Sequence, residues 1–131
     1  MENILIIDDE KPTLSMFQLF LKAYGYRVLV AENGREGLEI FEREQPAIVL
    51  TDVKMPGIDG LAVLQQIRER RPRTQVIVIT GHGDADLANQ ALNAGAVDFI
   101  HKPINREALD AALKKAHDRI ARLPADGSDR L

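Results

Sequence analysis

The sequence predicts a doubly wound α/β fold, in which five parallel strands form a sheet with five helices packed on its two faces. Two observations carry this prediction. Five short runs rich in Ile and Val lack the alternation of apolar and polar residues that a half-exposed strand shows, which is typical of strands buried on both faces. Amphipathic segments of helical period follow these runs, and strand-helix units repeated along one chain indicate a parallel sheet with helical crossovers.

Each element has its own boundary signals. The expected strands span residues 3–7, 27–31, 47–51, 75–80 and 98–101, and the expected helices span residues 13–24, 35–44, 61–70, 85–94 and 107 to about 123. Asn33 and Asp59 are expected N-caps, because their side chains can accept a hydrogen bond from a free N–H group of the first turn. Pro12 suits a first turn, and Gly25 and Gly95 are expected where helices end.

Composition excludes several classes of protein. The 131 residues are enough for one domain with a buried core. With 17 basic and 20 acidic residues the net charge is -3, so a broad cationic surface for nucleic acid or anionic lipid is not expected. Cysteine is absent, which excludes disulfides, thiolate metal sites and a cysteine nucleophile. The first residues resemble neither a signal peptide nor a membrane span, so a cytoplasmic location is expected.

Acidic side chains stand where two of the expected strands end. Asp8 and Asp9 follow strand 1, and Asp52 follows strand 3. Right-handed crossovers place the carboxyl ends of parallel strands at one edge of the sheet, so the three carboxylates converge if strands 1 and 3 are neighbours. Carboxylates a few ångströms apart raise one another's pKa. A hard divalent cation such as Mg²⁺, which takes oxygen ligands, would relieve this repulsion.

Two further polar residues reach the same edge. Thr80 ends strand 4, and Lys102 follows strand 5. A free carboxylate, a hydroxyl, an ammonium group and an oxygen-bound cation suit phosphoryl transfer, where catalysis is mostly positioning and neutralisation of charge. An aspartate can itself be the nucleophile and become an aspartyl phosphate. Asp8 alone could cap a helix and Asp52 alone could form a turn, but their coincidence at one edge favours a phosphoacceptor site.

Four segments, in this order and spacing, carry a resemblance: IDDE at 7–10, TDVKMPGIDG at 51–60, VIVITGHGD at 76–84 and DFIHKP at 98–103. Together they resemble the receiver domain of two-component response regulators, over residues 4 to about 120. The resemblance implies a flavodoxin-like sheet with strand order 2-1-3-4-5. It also implies a receiver domain at residues 1–123, and the polar residues 124–131 are expected to be a tail or the start of a linker.

The resemblance implies a role for each site residue. Asp52 would be the phosphoacceptor. Asp9, Asp8, Asp52 and the backbone carbonyl of Lys54 would bind Mg²⁺, with Mn²⁺ as an alternative ion. Thr80 would be the hydroxyl that contacts the phosphoryl oxygens.

The resemblance also implies roles for Lys102 and Phe99 in binding the phosphoryl group and in switching. Lys102, like the Thr80 hydroxyl, would contact the phosphoryl oxygens. The Lys102–Pro103 peptide bond would be cis. Phe99 would form the switch together with Thr80. His82, in the loop after strand 4, is either a residue that tunes the lifetime of the phosphoryl group or a solvent-exposed loop residue.

Partners also follow from the resemblance. A histidine kinase or phosphotransfer protein would donate the phosphoryl group, and a downstream effector domain or partner protein would read a face formed by residues 84–113. The chain would be a phosphoacceptor switch that assists its own phosphorylation and dephosphorylation, and not an enzyme acting on a separate substrate. Direct binding of nucleic acid or membrane is not expected. No effector sequence lies in these 131 residues, so a stand-alone receiver and a piece of a longer protein both stay open.

The last expected helix raises the question of a dimer. Its apolar residues have a four-three-four-three spacing: Leu109, Leu113, Ala116, Ile120 and Leu123. Packing on the sheet explains these residues at least as far as Ala116, and the stripe is too short to indicate a coiled coil. Because the last two are expected to have little core to cover, we hypothesise that this helix continues into a dimerising or domain-linking helix, and that a dimer is linked to phosphorylation.

For two rival functions, this sequence lacks a feature that the function requires. A haloacid-dehalogenase-like phosphatase needs a second acid two residues after its nucleophile, where this chain has Lys54. A flavodoxin-like flavin carrier needs a phosphate-binding loop after strand 1, where this chain has the acids of DDEKP. A degenerate receiver, acting as a phosphorylation-independent interaction module, is the alternative. It would be expected to lack the acceptor, an acid or the lysine.

Overall fold

The structure is a computed structural model that describes residues 2–81 and 83–123. The predictions for His82 and for the tail at 124–131 lie outside the described residues. The elements are β1 (Asn3–Ile7), α1 (Lys11–Ala23), β2 (Arg27–Ala31), α2 (Gly34–Glu44), β3 (Ile48–Asp52), α3 (Gly60–Arg70), β4 (Gln75–Thr80), α4 (Ala85–Asn93), β5 (Asp98–His101) and α5 (Arg106–Ala121). The strands are parallel in the order β2-β1-β3-β4-β5, which confirms the predicted fold and strand order.

Both faces of the sheet are covered, as the continuous apolar runs predicted. Every residue of β3 and β4 is buried, whereas β2 at the edge is only partly buried. Successive strand residues point to opposite faces. Ile4 and Ile6 of β1 therefore pack in the cluster that contains α1 and α5, and Leu5 and Ile7 pack in the cluster that contains α2, α3 and α4. The central strands are thus packed on both faces, and their carboxyl ends meet at one edge.

Several predicted boundaries differ from the observed ones by one or two residues. Helix α1 begins at Lys11, because the N–H of Leu14 already donates to the carbonyl of Glu10. Strand β3 runs through Asp52, because Asp52 still pairs with β4. Helix α5 ends at Ala121.

The expectation that the end of α5 has little core to cover was also wrong for Ile120. That side chain is partly buried and packs against the cluster of α1, α5 and the sheet. The apolar stripe of α5 is therefore used inside the domain as far as Ile120, and it provides less support for a dimerising helix than its spacing indicated.

The predicted capping residues and helix-terminating glycines are confirmed. The Asn33 side chain accepts a hydrogen bond from the N–H of Glu36 at 2.8 Å, and the Asp59 side chain accepts one from the N–H of Ala62 at 2.9 Å. Gly25 and Gly95 have φ values of 95° and 106°, in the left-handed region where glycine avoids a steric cost. Asp59 thereby begins α3 shortly after the strand that ends in the candidate acceptor.

Replacing Asn33 with alanine should lower the free energy of unfolding by about 1 kcal/mol, because the first turn of α2 loses the acceptor for one of its free N–H groups. Urea denaturation of the variant and the parent measures the difference. Asn33→Asp keeps an oxygen at the same place and should stay close to the parent. Equal losses in both variants would contradict a capping role.

None of the described helices is long and apolar enough to cross a membrane.

Candidate functional site

The carboxyl edge of the sheet brings together side chains from four strands. Asp8 directly follows β1, Asp52 ends β3, Thr80 ends β4 and Lys102 directly follows β5. The ladder continues beyond the strands, since the N–H of Lys102 donates to the carbonyl of Thr80 at 2.8 Å and that of Val53 donates to the carbonyl of Ile79 at 3.0 Å. The backbone that carries these side chains is therefore fixed by sheet pairing on both sides of the site.

Four carboxylates form a cluster at this edge. Asp8, Asp9, Glu10 and Asp52 each offer an oxygen, and these oxygens lie within 4.8 Å of one another. Asp8 is fully buried and Asp52 is 5% exposed, whereas Asp9 and Glu10 are exposed. Three of these acids were predicted, and Glu10 was missed. Its signal was present as the third acid of IDDE, although nothing in the local pattern assigned it a contact.

Lys102 is the cation that contacts this cluster in the described part of the chain. Its Nζ lies 3.1 Å from Oδ2 of Asp52 and 3.3 Å from Oδ2 of Asp8, and it also donates to the carboxylate of Glu10. Burial lowers the pKa of Lys102, but its hydrogen bonds to Glu10 and Asp52 outweigh that effect and the pKa is raised. The group is thus a fixed positive charge beside the candidate acceptor.

The buried acids are raised in pKa. Burial raises the pKa of Asp8 to about 6, and the charge of Asp52 adds to the rise, while a hydrogen bond of 2.9 Å from the N–H of Glu10 opposes it. Burial also raises the pKa of Asp52, against the hydrogen bond from Lys102. Both shifts indicate that the carboxylates are incompletely compensated by the protein's own groups.

This cluster fits a hard divalent cation such as Mg²⁺. Its donors are all oxygens, which is the ligand set that Mg²⁺ prefers. Oδ2 of Asp8 is buried and accepts no hydrogen bond from the described residues, although it lies near the ammonium of Lys102. A buried anionic oxygen without a hydrogen bond is costly, and a bound cation would satisfy it.

Thr80 is buried beside this cluster, but its hydrogen bond goes elsewhere. Its Oγ1 lies 2.8 Å from Nδ1 of His101. The His101 ring in turn meets the Phe99 ring edge-on, with 5.1 Å between centroids and an interplanar angle of 69°. Phe99 and His101 line an open groove of about 780 Å³ between α4 and α5. No role for His101 could be predicted from the sequence, because no local pattern shows a contact between two strands.

Lys54 lies in the loop after β3, and its side chain points away from the acceptor. Its Nζ forms an ion pair of 3.0 Å with Oδ1 of Asp84, just before α4, and the side chain is 69% exposed. Its backbone N–H donates to Oδ1 of Asp52 at 3.3 Å. The backbone of Lys54, rather than its ammonium group, therefore contacts the candidate acceptor. On the opposite side of the site, the Lys102–Pro103 peptide bond is cis.

Comparison with known proteins gives consistent matches. The family model of the response regulator receiver domain matches residues 4–114. The chain is 35% identical over 127 residues to the transcriptional regulatory protein ZraR of Escherichia coli K12, a match that covers 94% of this chain and 29% of ZraR. It is also 35% identical over 113 residues to the DNA-binding transcriptional regulator NtrC of the same strain, covering 86% of this chain and 24% of NtrC. The chain thus spans less than a third of the length of these relatives.

Among solved structures, the chain is similar to a response regulator receiver domain protein from Clostridium thermocellum. The two share 36% sequence identity with a TM-score of 0.84, and the match covers 93% of this chain and 96% of that one.

Proposed function

Because the chain belongs to the response regulator receiver domain family, we propose that it is a switch in which Asp52 accepts a phosphoryl group in a Mg²⁺-dependent reaction. The observation that carries this proposal is the position of Asp52 at the end of β3, inside the acidic cluster and 3.1 Å from the ammonium of Lys102. No observation favours the degenerate receiver, since the acceptor, the acids and the lysine are all in place.

The chemistry assigned to the chain's own groups is a phosphoryl transfer. An oxygen of the Asp52 carboxylate attacks phosphorus in line, the bond between phosphorus and the donor's histidine nitrogen breaks, and that nitrogen keeps the electron pair. Lys102 neutralises charge on the phosphoryl oxygens, and the Thr80 hydroxyl donates a hydrogen bond to one of them once it has turned toward the site. Hydrolysis of the aspartyl phosphate by water would return the resting state.

We propose that Asp8, Asp9, Asp52 and the backbone carbonyl of Lys54 hold the Mg²⁺ ion, or Mn²⁺ in its place. When bound, the ion supplies positive charge that neutralises the phosphoryl oxygens. The buried and unsatisfied Oδ2 of Asp8 supports this assignment.

The proposed output is a change on the face formed by α4, β5 and α5. The transferred group adds charge and three acceptor oxygens next to Thr80. Movement of Thr80 toward these oxygens would leave space for Phe99, which is half-buried between the sheet and the groove. Phosphorylation would therefore shift a population between two packings of this face, which a partner reads.

The partners and the cellular setting belong to the same proposal. The phosphoryl donor would be a histidine kinase or a phosphotransfer protein. The matched relatives are named as transcriptional regulators, which supports a downstream effector domain or partner and a cytoplasmic location. A phosphorylation-linked dimer stays a hypothesis, and the chain would act as a switch rather than as an enzyme on a separate substrate.

The test is the intact mass of the chain after incubation with acetyl phosphate and Mg²⁺. The parent should gain one phosphate, and it should gain none when the metal is chelated. Asp52→Asn removes the nucleophilic oxygen and should abolish the gain, whereas Asp59→Asn, which changes an exposed cap outside the cluster, should leave it unchanged. A parent without any gain would favour the degenerate receiver instead.

A further inference from the structure

One side chain touches both residues of the proposed switch. Nδ1 of His101 lies 2.8 Å from the hydroxyl of Thr80, and the His101 ring packs edge-on against the Phe99 ring. The contact is built into the sheet, because Thr80 and His101 are paired residues of β4 and β5. His101 is exposed at the rim of the groove, so it has no core-packing role that would explain its position.

A threonine hydroxyl has one proton to donate. In the described residues the Thr80 hydroxyl has His101 as its hydrogen-bond partner, and no other acceptor competes for the proton. If the proton is donated to Nδ1 of His101, it is not available to a phosphoryl oxygen on Asp52. In the ring tautomer that leaves Nδ1 as the acceptor, formation of the Thr80 contact to the phosphoryl group therefore requires that the contact with His101 breaks first.

We propose that His101 is a positioning residue that holds Thr80 in the resting arrangement and so raises the threshold for switching. The inference rests on the proposed phosphoacceptor function and adds to it a residue that acts through Thr80, not through the reacting atoms. It would also couple the two proposed switch residues, because the ring that binds Thr80 is the same ring that packs on Phe99. When the hydrogen bond to Thr80 is lost, the His101 ring can move, and Phe99 then loses one of its fixed neighbours.

The test measures the affinity of the intact chain for beryllium trifluoride in the presence of Mg²⁺, by calorimetric titration. This probe mimics an aspartyl phosphate without turnover. His101→Leu removes the hydrogen-bond acceptor and should tighten binding about threefold to tenfold, the range expected for one net hydrogen bond that stabilises the resting state. His101→Asn places a carbonyl oxygen near the original Nδ1 and should bind as the parent does.

A double-mutant comparison separates a positioning role from a general structural one. Thr80→Val removes the hydroxyl and nearly keeps the shape of the side chain. If His101 acts through Thr80, His101→Leu should change the affinity of the Thr80→Val variant less than twofold, because non-additivity is expected only for coupled residues. The affinity for Mg²⁺ alone should be the same in the parent and in both His101 variants.

Two results would overturn the inference. In the first, His101→Leu and His101→Asn have the same affinity for the probe. In the second, the effect of His101→Leu persists in the Thr80→Val background. A parent that binds no beryllium trifluoride would instead contradict the phosphoacceptor function, and the role of His101 would fall with it.

Discussion

Replacing Asp8 with asparagine should raise the free energy of unfolding at neutral pH, without Mg²⁺, by about 2 to 3 kcal/mol. Asp8 is fully buried, and burial raises its pKa from the ordinary 3.8 to about 6. A tenfold change in an ionisation constant is worth about 1.4 kcal/mol, so an ionised Asp8 costs the folded state about 3 kcal/mol. Asparagine keeps the acceptor for the Glu10 N–H and removes the charge.

The pH dependence identifies this cause. Because the folded-state pKa of Asp8 is higher than its unfolded value, protonation stabilises the folded chain, and that stabilisation is lost as the pH rises through about 6. The advantage of the asparagine variant should therefore be largest above neutrality and should fall below about 1 kcal/mol near pH 4. Urea denaturation across this range measures it.

The same pair of proteins tests the metal site. Mg²⁺ should stabilise the parent and have little effect on Asp8→Asn, because a ligand that binds only the folded state stabilises it more the further its concentration exceeds its Kd. Asp59→Asn, at an exposed aspartate outside the cluster, should retain the parent's response. An Asp8→Asn variant less stable than the parent at neutral pH would contradict the cost assigned to the Asp8 charge.

Replacing Gly60 with alanine should lower the free energy of unfolding by about 3 kcal/mol or more, since an extra methyl group would overlap fixed backbone. A Cβ at this position would lie 2.0 Å from the carbonyl oxygen of Asp52 and 2.7 Å from Cα of Val53. The N–H of Gly60 also donates to the carbonyl of Val53 at 2.9 Å. Helix α3 therefore begins directly against the strand end that carries the acceptor.

Gly37→Ala is a matched control for this prediction. Its Cβ would lie 2.3 Å from Cδ1 and 2.7 Å from Cγ1 of the buried Ile7, so a side chain rather than the backbone has to shift, and alanine gains about 1 kcal/mol of helix propensity over glycine within α2. We expect a clearly smaller loss of stability there. Any Gly60→Ala protein that still folds should also gain phosphate more slowly, because the overlap displaces the backbone of Asp52. Equal losses for both glycine variants would contradict the close approach at α3.

The sequence by itself determined which groups reach the site. Parallel strands joined by right-handed crossovers end at one edge, so the positions of Asp8, Asp52, Thr80 and Lys102 at or directly after the ends of apolar runs were enough to place them at that edge. The strand order that brings them together came from the resemblance to receiver domains. The caps at Asn33 and Asp59 could also be predicted from the sequence, because a capping side chain and the N–H group that it binds are only three positions apart.

Only the tertiary structure decided which side chains at and around the site contact one another. Glu10 accepts a hydrogen bond from Lys102, the Lys54 side chain forms an ion pair with Asp84, and Thr80 is hydrogen-bonded to His101. Each of these contacts joins residues that are far apart in the sequence, so it depends on how the strands are paired and on side-chain rotamers. A periodic pattern along one segment contains neither strand pairing nor rotamers. The contact between His101 and Thr80 could therefore be identified only once β4 and β5 were placed side by side.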